Sequence, residues 1–294
     1  MNAFGKPTAD VAVIAANFNN GKFLDAFIES VRSSDMLPAE LIIVDDGSTD
    51  NSLEILSQWE HLEYLTVICF NHNRGLTAAL NAGLERAAST YIMRADPDDI
   101  FLPDRIRVQV DYLQEHPGID ILGSNVIYFS DTTGKDLNVS NFPADHASIV
   151  RRYRNGEHGI QHPTVCIRSL VFKQYRYQKI FPGEDYEIFS RMVLDGHRFA
   201  NIKKPLYKMR IHGKSSTSNL SYDAIKQTFF FRDQLFGKRT PRLRKWSYFL
   251  HIRFYRKYQL SHCSITGYWF LFLSLLFCPV KLFRYLQKIL LVKQ

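Results

Sequence analysis

The chain has 294 residues, which is enough to bury a sizeable core as one large domain or two smaller ones. Its 46% hydrophobic and 22% charged residues are typical of a globular protein, and its four scattered cysteines argue against a zinc site or a disulfide framework and favour reduced thiols in a cytoplasmic setting. The formal charge of +8 is divided unevenly, because residues 201–294 hold 19 Lys and Arg and 2 acids whereas residues 1–200 hold 18 Lys and Arg and 27 acids.

The N-terminal half alternates two patterns, after a start that lacks the apolar segment of a secretory signal. Apolar runs rich in β-branched and aromatic residues predict buried strands at 11–18, 40–46, 64–70 and 91–96. Apolar residues at helical spacing predict helices at 20–34, 49–61 and 75–89, the second capped by Ser48 or Asp50. This alternation predicts a doubly wound α/β fold with a mostly parallel sheet, in which ligands bind beyond the carboxyl ends of the strands.

Acidic residues follow two of these strands. Asp45 and Asp46 close the second strand, and Asp96, Asp98 and Asp99 follow the fourth. Carboxylates crowded in this way repel one another unless a cation, hydrogen-bond donors or bulk water compensate them. The chain has neither a GxGxxG segment after the first strand nor a GxxxxGK[ST] segment, so the dinucleotide fingerprint and the P-loop are both absent. In a chain without these two motifs, a divalent cation, Mg²⁺ or Mn²⁺, held by the carboxylates can bind a phosphate.

Seven segments, taken in order, resemble inverting family 2 glycosyltransferases of the GT-A fold, of the bacterial surface-polysaccharide type. Four resemble the nucleotide-sugar half of that family: VAVIAANFN, LIIVDDGSTDNS, NRGLTAALNAG and MRADPDDIFLPDRI. Three resemble its acceptor-side motifs: HPTVCIR, PGEDYEIFSRM and KMRIHGKSSTS. The resemblance implies a GT-A catalytic domain over residues 1–220, with a nucleotide-sugar half at 1–118 and an acceptor half at 119–220.

The resemblance also implies a role for each matching residue. Those implied to contact the nucleotide are Ala16, Asn17, Asp45, Asp46, Arg74, Asp96 and His212. Asp98, together with Asp96, matches the Asp-x-Asp motif that holds the metal bridging the two phosphates. Asp185 matches the general base, and His162 and Glu184 match the acceptor side. The implied enzyme is of the hexosyltransferase type and moves a sugar from a nucleotide sugar, UDP-linked by family habit, to a hydroxyl of a glycan or a lipid-linked acceptor.

Two segments depart from the family's commonest pattern. Where many members read IPVYN, residues 15–19 read AANFN, and Pro97 stands between the two acids of the Asp-x-Asp motif where a small residue is common. Neither change removes a ligand. Because Pro97 fixes φ and removes an N–H, we expect the loop to be stiffer than usual.

Each of these residues also has a structural interpretation. An Asp-Asp pair before Gly-Ser is a good turn and helix-cap signal in any α/β protein. Glu184 and Asp185 can form a solvated helix face, His162 and His212 can be structural histidines, and Arg74 can be a surface arginine.

Residues 221–294 form a separate basic, aromatic-rich region that we expect to be helical. Between Lys257 and Lys281 lie 23 residues without a charged side chain, and both flanks are basic and aromatic. This composition predicts helices lying on the cytoplasmic face of the inner membrane, where aromatic residues anchor at the interface and basic side chains meet anionic lipid. A transmembrane helix or hairpin and a core helix packed on the catalytic domain are the alternatives.

The basic region also leaves a different class of function open. A non-catalytic protein could use it to bind nucleic acid or to act as a scaffold. The uncharged apolar span does not resemble the lining of a nucleic-acid groove, and no RNA- or DNA-binding motif is present. Acids stand at all the motif positions, which argues against a scaffold that has lost its activity. The expected partners are therefore a nucleotide-sugar donor, a glycan or lipid-linked acceptor and a membrane surface, with no nucleic acid.

Overall fold

The computed structural model of the chain describes residues 5–180, 182–213, 221–261 and 265–278. The strands are β1 (Thr8–Asn17), β2 (Leu37–Asp45), β3 (Leu65–Cys69), β4 (Tyr91–Ala95), β5 (Ile100–Phe101), β6 (Ile121–Ser130), β7 (Asp136–Val139), β8 (Cys166–Arg168) and β9 (Phe199–Ile211). The helices are α1 (Gly21–Arg32), α2 (Ser52–Gln58), α3 (Leu76–Arg86), α4 (Arg105–Glu115), α5 (His146–Arg154), α6 (Ser169–Phe172), α7 (Glu184–Leu194), α8 (Tyr222–Leu235), α9 (Arg242–Leu260) and α10 (Ile265–Leu276). A single 3₁₀ turn, His162–Thr164, precedes β8 in this part of the chain.

The first four strands form the parallel part of the sheet, in the order β3-β2-β1-β4. Residues 11–15 of β1 are fully buried, as expected for a central parallel strand covered on both faces. In α1 the buried apolar residues recur at helical spacing, so one face of this helix packs into the core. The predicted strands and helices of this half are confirmed.

Beyond β4 the sheet continues with antiparallel pairs. β8 pairs with β4 and with β6, and β9 pairs with β5, all antiparallel, and the main path runs β3-β2-β1-β4-β8-β6-β9-β5. The sheet is therefore mixed, and the backbone bonds from Ile121 to Arg198 and from Asp131 to Ile211 show that β6 and β9 run parallel to each other. Because β1, β2 and β4 run in the same direction, the residues that follow them meet at one edge of the sheet.

Of the two caps predicted for α2, the structure supports Asp50, whose side chain accepts the N–H of the first helical residue. Asn51 is the residue before the helix, and neither Ser48 nor Asp50 occupies that place. Asp50 accepts hydrogen bonds from the N–H groups of Ser52 (3.0 Å) and Gly21 (2.9 Å), so one carboxylate joins the starts of α1 and α2. The Ser48 hydroxyl lies further back and binds the turn after β1.

The described residues fall into two compact units. The first consists of residues 5–129 and 139–210, and it holds the strands that carry the acidic residues. The second consists of residues 130–138 and of the described residues from 211 onward. The predicted domain boundary after residue 220 stays a prediction.

The second unit contains α8, α9 and α10. Ile225 and Phe229 of α8 pack against Phe249 of α9, and Asp233 accepts hydrogen bonds from the Thr240 N–H and hydroxyl (both 2.7 Å), which closes the loop between these helices. The uncharged span predicted at 258–280 is divided between the end of α9 and α10, and residues 262–264 and 279–280 lie outside the described part. Over the described residues, none of the helices combines the length and the apolar character needed to cross a membrane.

Three of the four cysteines lie in the described part of the chain. Cys69 is exposed, Cys166 is buried and Cys278 is half-buried, and all three are free thiols. Cys263 lies outside the described residues.

Candidate active site

The first acid after β2 is tied into the protein. Asp45 is buried, and its Oδ1 accepts hydrogen bonds from Asn17 Nδ2 (2.7 Å) and the Ser48 hydroxyl (2.6 Å), while its Oδ2 accepts one from the Ser48 N–H (2.9 Å). The turn that brings Ser48 back depends on Gly47, whose φ is +70° and where a Cβ would lie 2.5 Å from the carbonyl carbon of His72. Asn17 Oδ1 is buried and has no hydrogen-bond partner among the described residues, so it is the atom of this group left to accept a donor.

The second acid, Asp46, has backbone partners. Its Oδ1 accepts the Arg74 N–H (2.6 Å) and its Oδ2 accepts the Gly75 N–H (2.8 Å), so it fixes the loop that leads into α3. The Arg74 side chain is exposed and lies over the Phe70 ring, 4.3 Å from its centroid. Ala16 of β1 is half-buried beside this edge. The nucleotide contacts of these residues stay a prediction.

The acids after β4 form a tight cluster. One carboxylate oxygen from each of Asp96, Asp98 and Asp99 lies within 4.8 Å of the others. Asp96 and Asp98 are half-buried, whereas Asp99 is only 2% exposed. Asp99 Oδ1 accepts the Arg210 N–H (2.7 Å), but its Oδ2 is buried and has no hydrogen-bond partner among the described residues.

This crowding shifts the pKa of two of the acids. Burial, followed by the charges of Asp98 and Asp96, raises the pKa of Asp99 well above its ordinary value. Burial also raises the pKa of Asp96, with Asp98 and Asp185 adding to the shift and Arg94 opposing it. Asp99 Oδ2 is therefore a buried carboxylate oxygen whose charge no donor in the described part of the chain offsets.

Arg94 is a member of the site that the sequence interpretation missed. It is buried in β4, and its Nη1 forms an ion pair with Asp96 Oδ2. Burial opposes its charge, but the pair with Asp96 holds the pKa of the guanidinium above its ordinary value. The available signal was an arginine inside an otherwise apolar strand two residues before an acid, since a buried cation needs a partner.

The loop that carries the cluster is held by β9. The Asp96 N–H donates to the Tyr207 hydroxyl (2.9 Å), and that hydroxyl donates to the Asp96 carbonyl (3.2 Å). Arg210 Nε donates to the Asp98 carbonyl (2.7 Å). Pro97 is buried between the two acids. Hydrogen bonds thus hold the backbone of Asp96 and of Asp98, on both sides of Pro97, in line with the predicted stiffness of the loop.

Asp185 lies in the first turn of α7, directly after Gly183, whose φ of 108° ends the preceding segment. Its Oδ1 accepts the Tyr186 N–H (2.7 Å) and its Oδ2 lies 3.3 Å from His158 Nδ1. Burial disfavours its charge, but His158, His162 and the Tyr186 N–H together hold the pKa of Asp185 below its ordinary value. The carboxylate is therefore ionised at neutral pH, as a general base requires.

Glu184 behaves in the opposite way. It is buried, and its Oε2 accepts the Gly183 N–H (3.0 Å). Burial, and then the charge of Asp185, raise the pKa of Glu184 to about 7. The expectation of a solvated helix face is wrong for Glu184, because its side chain is buried with α7.

The two predicted histidines are in different units. His162 is buried, its Nε2 lies 2.7 Å from the Tyr177 hydroxyl, and burial, followed by the charge of Arg94, holds its pKa well below the ordinary value. It is therefore neutral at neutral pH. His212 is half-buried directly after β9, in the second unit. The acceptor-side role of His162 and the diphosphate role of His212 stay predictions.

The first unit thus brings most of the predicted residues to one edge of the sheet. The charge of Asp185 contributes to the raised pKa of Asp96, so the start of α7 lies within electrostatic range of the acid cluster. His158 and Arg94 join them without having been predicted. No sequence signal distinguished His158, because its partner Asp185 lies 27 positions further along the chain.

The cluster fits a divalent cation. It offers hard carboxylate oxygens of the kind that Mg²⁺ and Mn²⁺ prefer, and the buried Asp99 Oδ2 has no protein partner in the described part of the chain. Asp98 and Asp99 are the better candidates to hold it, because Asp96 is already paired with Arg94.

Comparison with known proteins gives three findings that bear on this site. Residues 12–181 match the sequence model of the family described as Glycosyl transferase family 2. The chain is 31% identical over 230 residues to the amylovoran biosynthesis glycosyltransferase AmsE of Erwinia amylovora, covering 77% of this chain and 85% of that protein. It is 26% identical over 190 residues to the UDP-Gal:alpha-D-GlcNAc-diphosphoundecaprenol beta-1,3-galactosyltransferase of Escherichia coli, covering 64% and 68%.

A solved structure gives the likeness in fold. The mannosyltransferase PcManGT of Pyrobaculum calidifontis, in complex with GDP-Man and Mn²⁺, superposes with a TM-score of 0.57 at 15% identity, covering 94% of this chain and 75% of that one. The predicted GT-A type of fold is confirmed by this likeness.

Proposed function

Since the chain belongs to glycosyl transferase family 2 and is a glycosyltransferase, we propose that it moves a hexose from a UDP-linked donor to a hydroxyl of a glycan or lipid-linked acceptor, with inversion. The observation that carries the proposal is that the first unit contains two acidic groups with different properties. In the cluster of Asp96, Asp98 and Asp99 the buried Asp99 Oδ2 has no hydrogen-bond partner among the described residues, whereas Asp185 is held ionised. The non-catalytic alternative is not proposed.

The donor side follows from charge. In a sugar transfer the bond between the anomeric carbon and the diphosphate breaks, and the leaving diphosphate gains negative charge. A divalent cation held by Asp98 and Asp99 would neutralise that charge where it develops. The ion pair between Arg94 and Asp96 reduces the repulsion among the three acids. Asp98 and Asp99 can then face the cation.

The acceptor side follows from proton transfer. The acceptor hydroxyl attacks the anomeric carbon from the face opposite the diphosphate and loses its proton as the new bond forms. Asp185 takes that proton, because it is ionised at neutral pH and lies at the start of α7 near the cluster. One in-line displacement of this kind inverts the anomeric centre.

The substrate class is proposed from the relatives. AmsE is named for amylovoran biosynthesis, and the Escherichia coli relative is named for a UDP-galactose donor and a diphosphoundecaprenol-linked acceptor. We therefore expect a role in the synthesis of a bacterial cell-surface polysaccharide or lipopolysaccharide on a lipid-linked intermediate.

A membrane surface as partner is proposed from the second unit. The outer face of α10 exposes five apolar side chains at helical spacing: Ile265, Tyr268, Trp269, Phe272 and Leu276. Residues 211–294 hold 15 Lys and Arg and 2 acids, a net charge of +13, which favours an anionic surface. We propose that this face lies at the cytoplasmic surface of the inner membrane, with its aromatic residues at the interface.

The test of this proposal is co-sedimentation with phosphatidylglycerol vesicles. We expect the wild-type protein to co-sediment and Trp269→Ser to lose this binding. Dimerisation through this face without vesicle binding would contradict it.

The first test is calorimetric binding of UDP in Mn²⁺ and then in EDTA. We expect binding that requires the metal, a loss of at least about tenfold in affinity for Asp98→Asn, and unchanged binding for Asp185→Asn. Asp185→Asn should lower the rate of transfer by roughly 10²- to 10⁴-fold, because the base is lost while the donor site is intact.

Two outcomes would contradict the proposal. The first is the absence of metal-dependent binding of UDP, GDP or dTDP in well-folded protein. The second is transfer at the wild-type rate by Asp185→Asn, which would leave the donor site in place but remove the proposed base.

A further inference from the structure

His158 contacts the base candidate from the loop that follows α5. It lies four residues after α5, and its Nδ1 is 3.3 Å from Asp185 Oδ2. The His158 ring also meets the Tyr186 ring edge-on, with centroids 5.6 Å apart. Its side chain is 40% exposed, whereas that of Asp185 is 23% exposed. The histidine thus lies between the carboxylate and solvent.

The other groups that face Asp185 have other partners. His162 is buried against Tyr177, and Arg94 is paired with Asp96. Glu184, the adjacent acid, and the Tyr153 hydroxyl, within electrostatic range, bring no positive charge. Among the described residues, His158 is therefore the basic side chain that contacts Asp185 directly.

The two contacts of Asp185 divide its oxygens. Oδ1 is bonded to the Tyr186 N–H within α7, and Oδ2 faces His158. The Tyr186 N–H holds Oδ1, and Oδ2 lies within ion-pair distance of His158 Nδ1, so both oxygens are engaged and one lone pair of each is left to accept a proton. A base that must meet a substrate hydroxyl needs such a fixed orientation.

We propose that His158 is a positioning residue for the transfer reaction, which holds Asp185 Oδ2 in place while Asp185 takes the proton of the attacking hydroxyl. The inference rests on the proposed function, in which Asp185 is the general base. In that step the acceptor oxygen bonds to the anomeric carbon, the bond from that carbon to the diphosphate breaks, the diphosphate leaves with the electron pair, and the proton passes to Asp185.

The experiment measures UDP release from UDP-galactose in Mn²⁺, with water as the acceptor, as a function of pH. In His158→Ala we expect kcat to fall roughly 10- to 100-fold with KM for the donor unchanged, because the base is misplaced but the donor site is not. Removing the neighbouring imidazole also raises the pKa of Asp185, so the acid limb of the kcat profile moves to higher pH. Imidazole added to the buffer should restore part of the rate, and His158→Gln, which keeps an N–H donor, should retain more activity than His158→Ala.

The chain offers a matched control in the same unit. His197 Nδ1 lies 3.4 Å from Asp120 Oδ2, a pair of the same kind outside the site. His197→Ala should leave kcat and the acid limb unchanged. Should His158→Ala fold poorly, His158→Gln and His158→Asn in the same pH series take its place.

The outcomes separate this inference from the proposed function. A wild-type kcat and acid limb in His158→Ala would overturn the role of His158. The role of His158 would also be overturned if kcat fell equally in His158→Ala and His158→Gln and imidazole did not restore it. Such a loss of kcat would reflect folding alone. Wild-type turnover in Asp185→Asn would overturn the proposed base itself. In the double variant His158→Ala/Asp185→Asn, a loss of kcat no larger than in Asp185→Asn alone would support the action of His158 through Asp185.

Discussion

Two groups of acids lie at the ends of β2 and β4, parallel strands on either side of β1 in one sheet, yet their surroundings are opposite. Asp45 and Asp46, after β2, are buried and receive five hydrogen bonds from protein donors. Asp99, after β4, is equally buried but keeps one carboxylate oxygen without a partner in the described part of the chain. The supply of donors, and not the residue type or its place at the sheet edge, separates a structural acid from one that needs a cation.

The largest effect expected from this comparison is that of Asp46→Asn. The amide of the variant has the shape of the carboxylate, but its NH₂ group must face the N–H of either Arg74 or Gly75, so a partly buried donor loses its acceptor. We expect a loss of about 2–4 kcal/mol in the free energy of unfolding, because these bonds are charge-assisted and the Asp46 carboxylate is buried. Urea denaturation in EDTA measures it.

A control for Asp46→Asn is Asp111→Asn, at an exposed position on α4. Its free energy of unfolding should stay within about 0.5 kcal/mol of the wild type. Equal stabilities of Asp46→Asn and the wild type would mean that the backbone donors at the start of α3 find other acceptors, and the contrast between the two groups would fail.

Asp99→Asn, the same change in the other group of acids, should stabilise the protein, whereas Asp46→Asn should destabilise it. In Asp99→Asn the amide oxygen can still accept the Arg210 N–H, while the NH₂ group faces the carboxylates of Asp96 and Asp98. Repulsion is removed and a donor is added, so without metal at pH 8 we expect a gain on the order of 2 kcal/mol in the free energy of unfolding. Urea denaturation in EDTA measures the gain.

Mn²⁺ provides the second half of that test. In the wild type Mn²⁺ should raise the unfolding midpoint by binding the folded state, and in Asp99→Asn this rise should shrink. A variant that is less stable than the wild type in EDTA, and responds to Mn²⁺ as the wild type does, would show that Asp99 is a structural acid like Asp46.

The sequence predicted the parts of the site that depend on local order, and it missed those that depend on distant partners. The strands, the helices and the position of the acids at one sheet edge follow from apolar periodicity and from the rule for parallel strands. The donors on Asp46 come from residues 28 and 29 positions away, and Tyr207 reaches Asp96 across 111 positions. Such pairings are set by the fold as a whole, so neither His158 nor the buried state of Glu184 could be found from spacing.

The effect of Glu184→Gln should depend on pH, being absent in acid and growing as the pH rises. Glu184 has a single protein donor, the Gly183 N–H, and burial, then the charge of Asp185, raise its pKa to about 7. The folded state therefore binds a proton that the unfolded state releases near pH 4.5, and the contribution of Glu184 to stability, present below pH 4.5, is lost as the pH rises to about 7. The neutral glutamine removes this loss, so above pH 7 the variant should be more stable than the wild type by up to about 3 kcal/mol, with no difference at pH 4. Urea denaturation at pH 4, 6 and 8 measures the trend, and a variant that is less stable than the wild type at pH 8 would place Glu184 with Asp46, among the acids whose charge the folded protein stabilises.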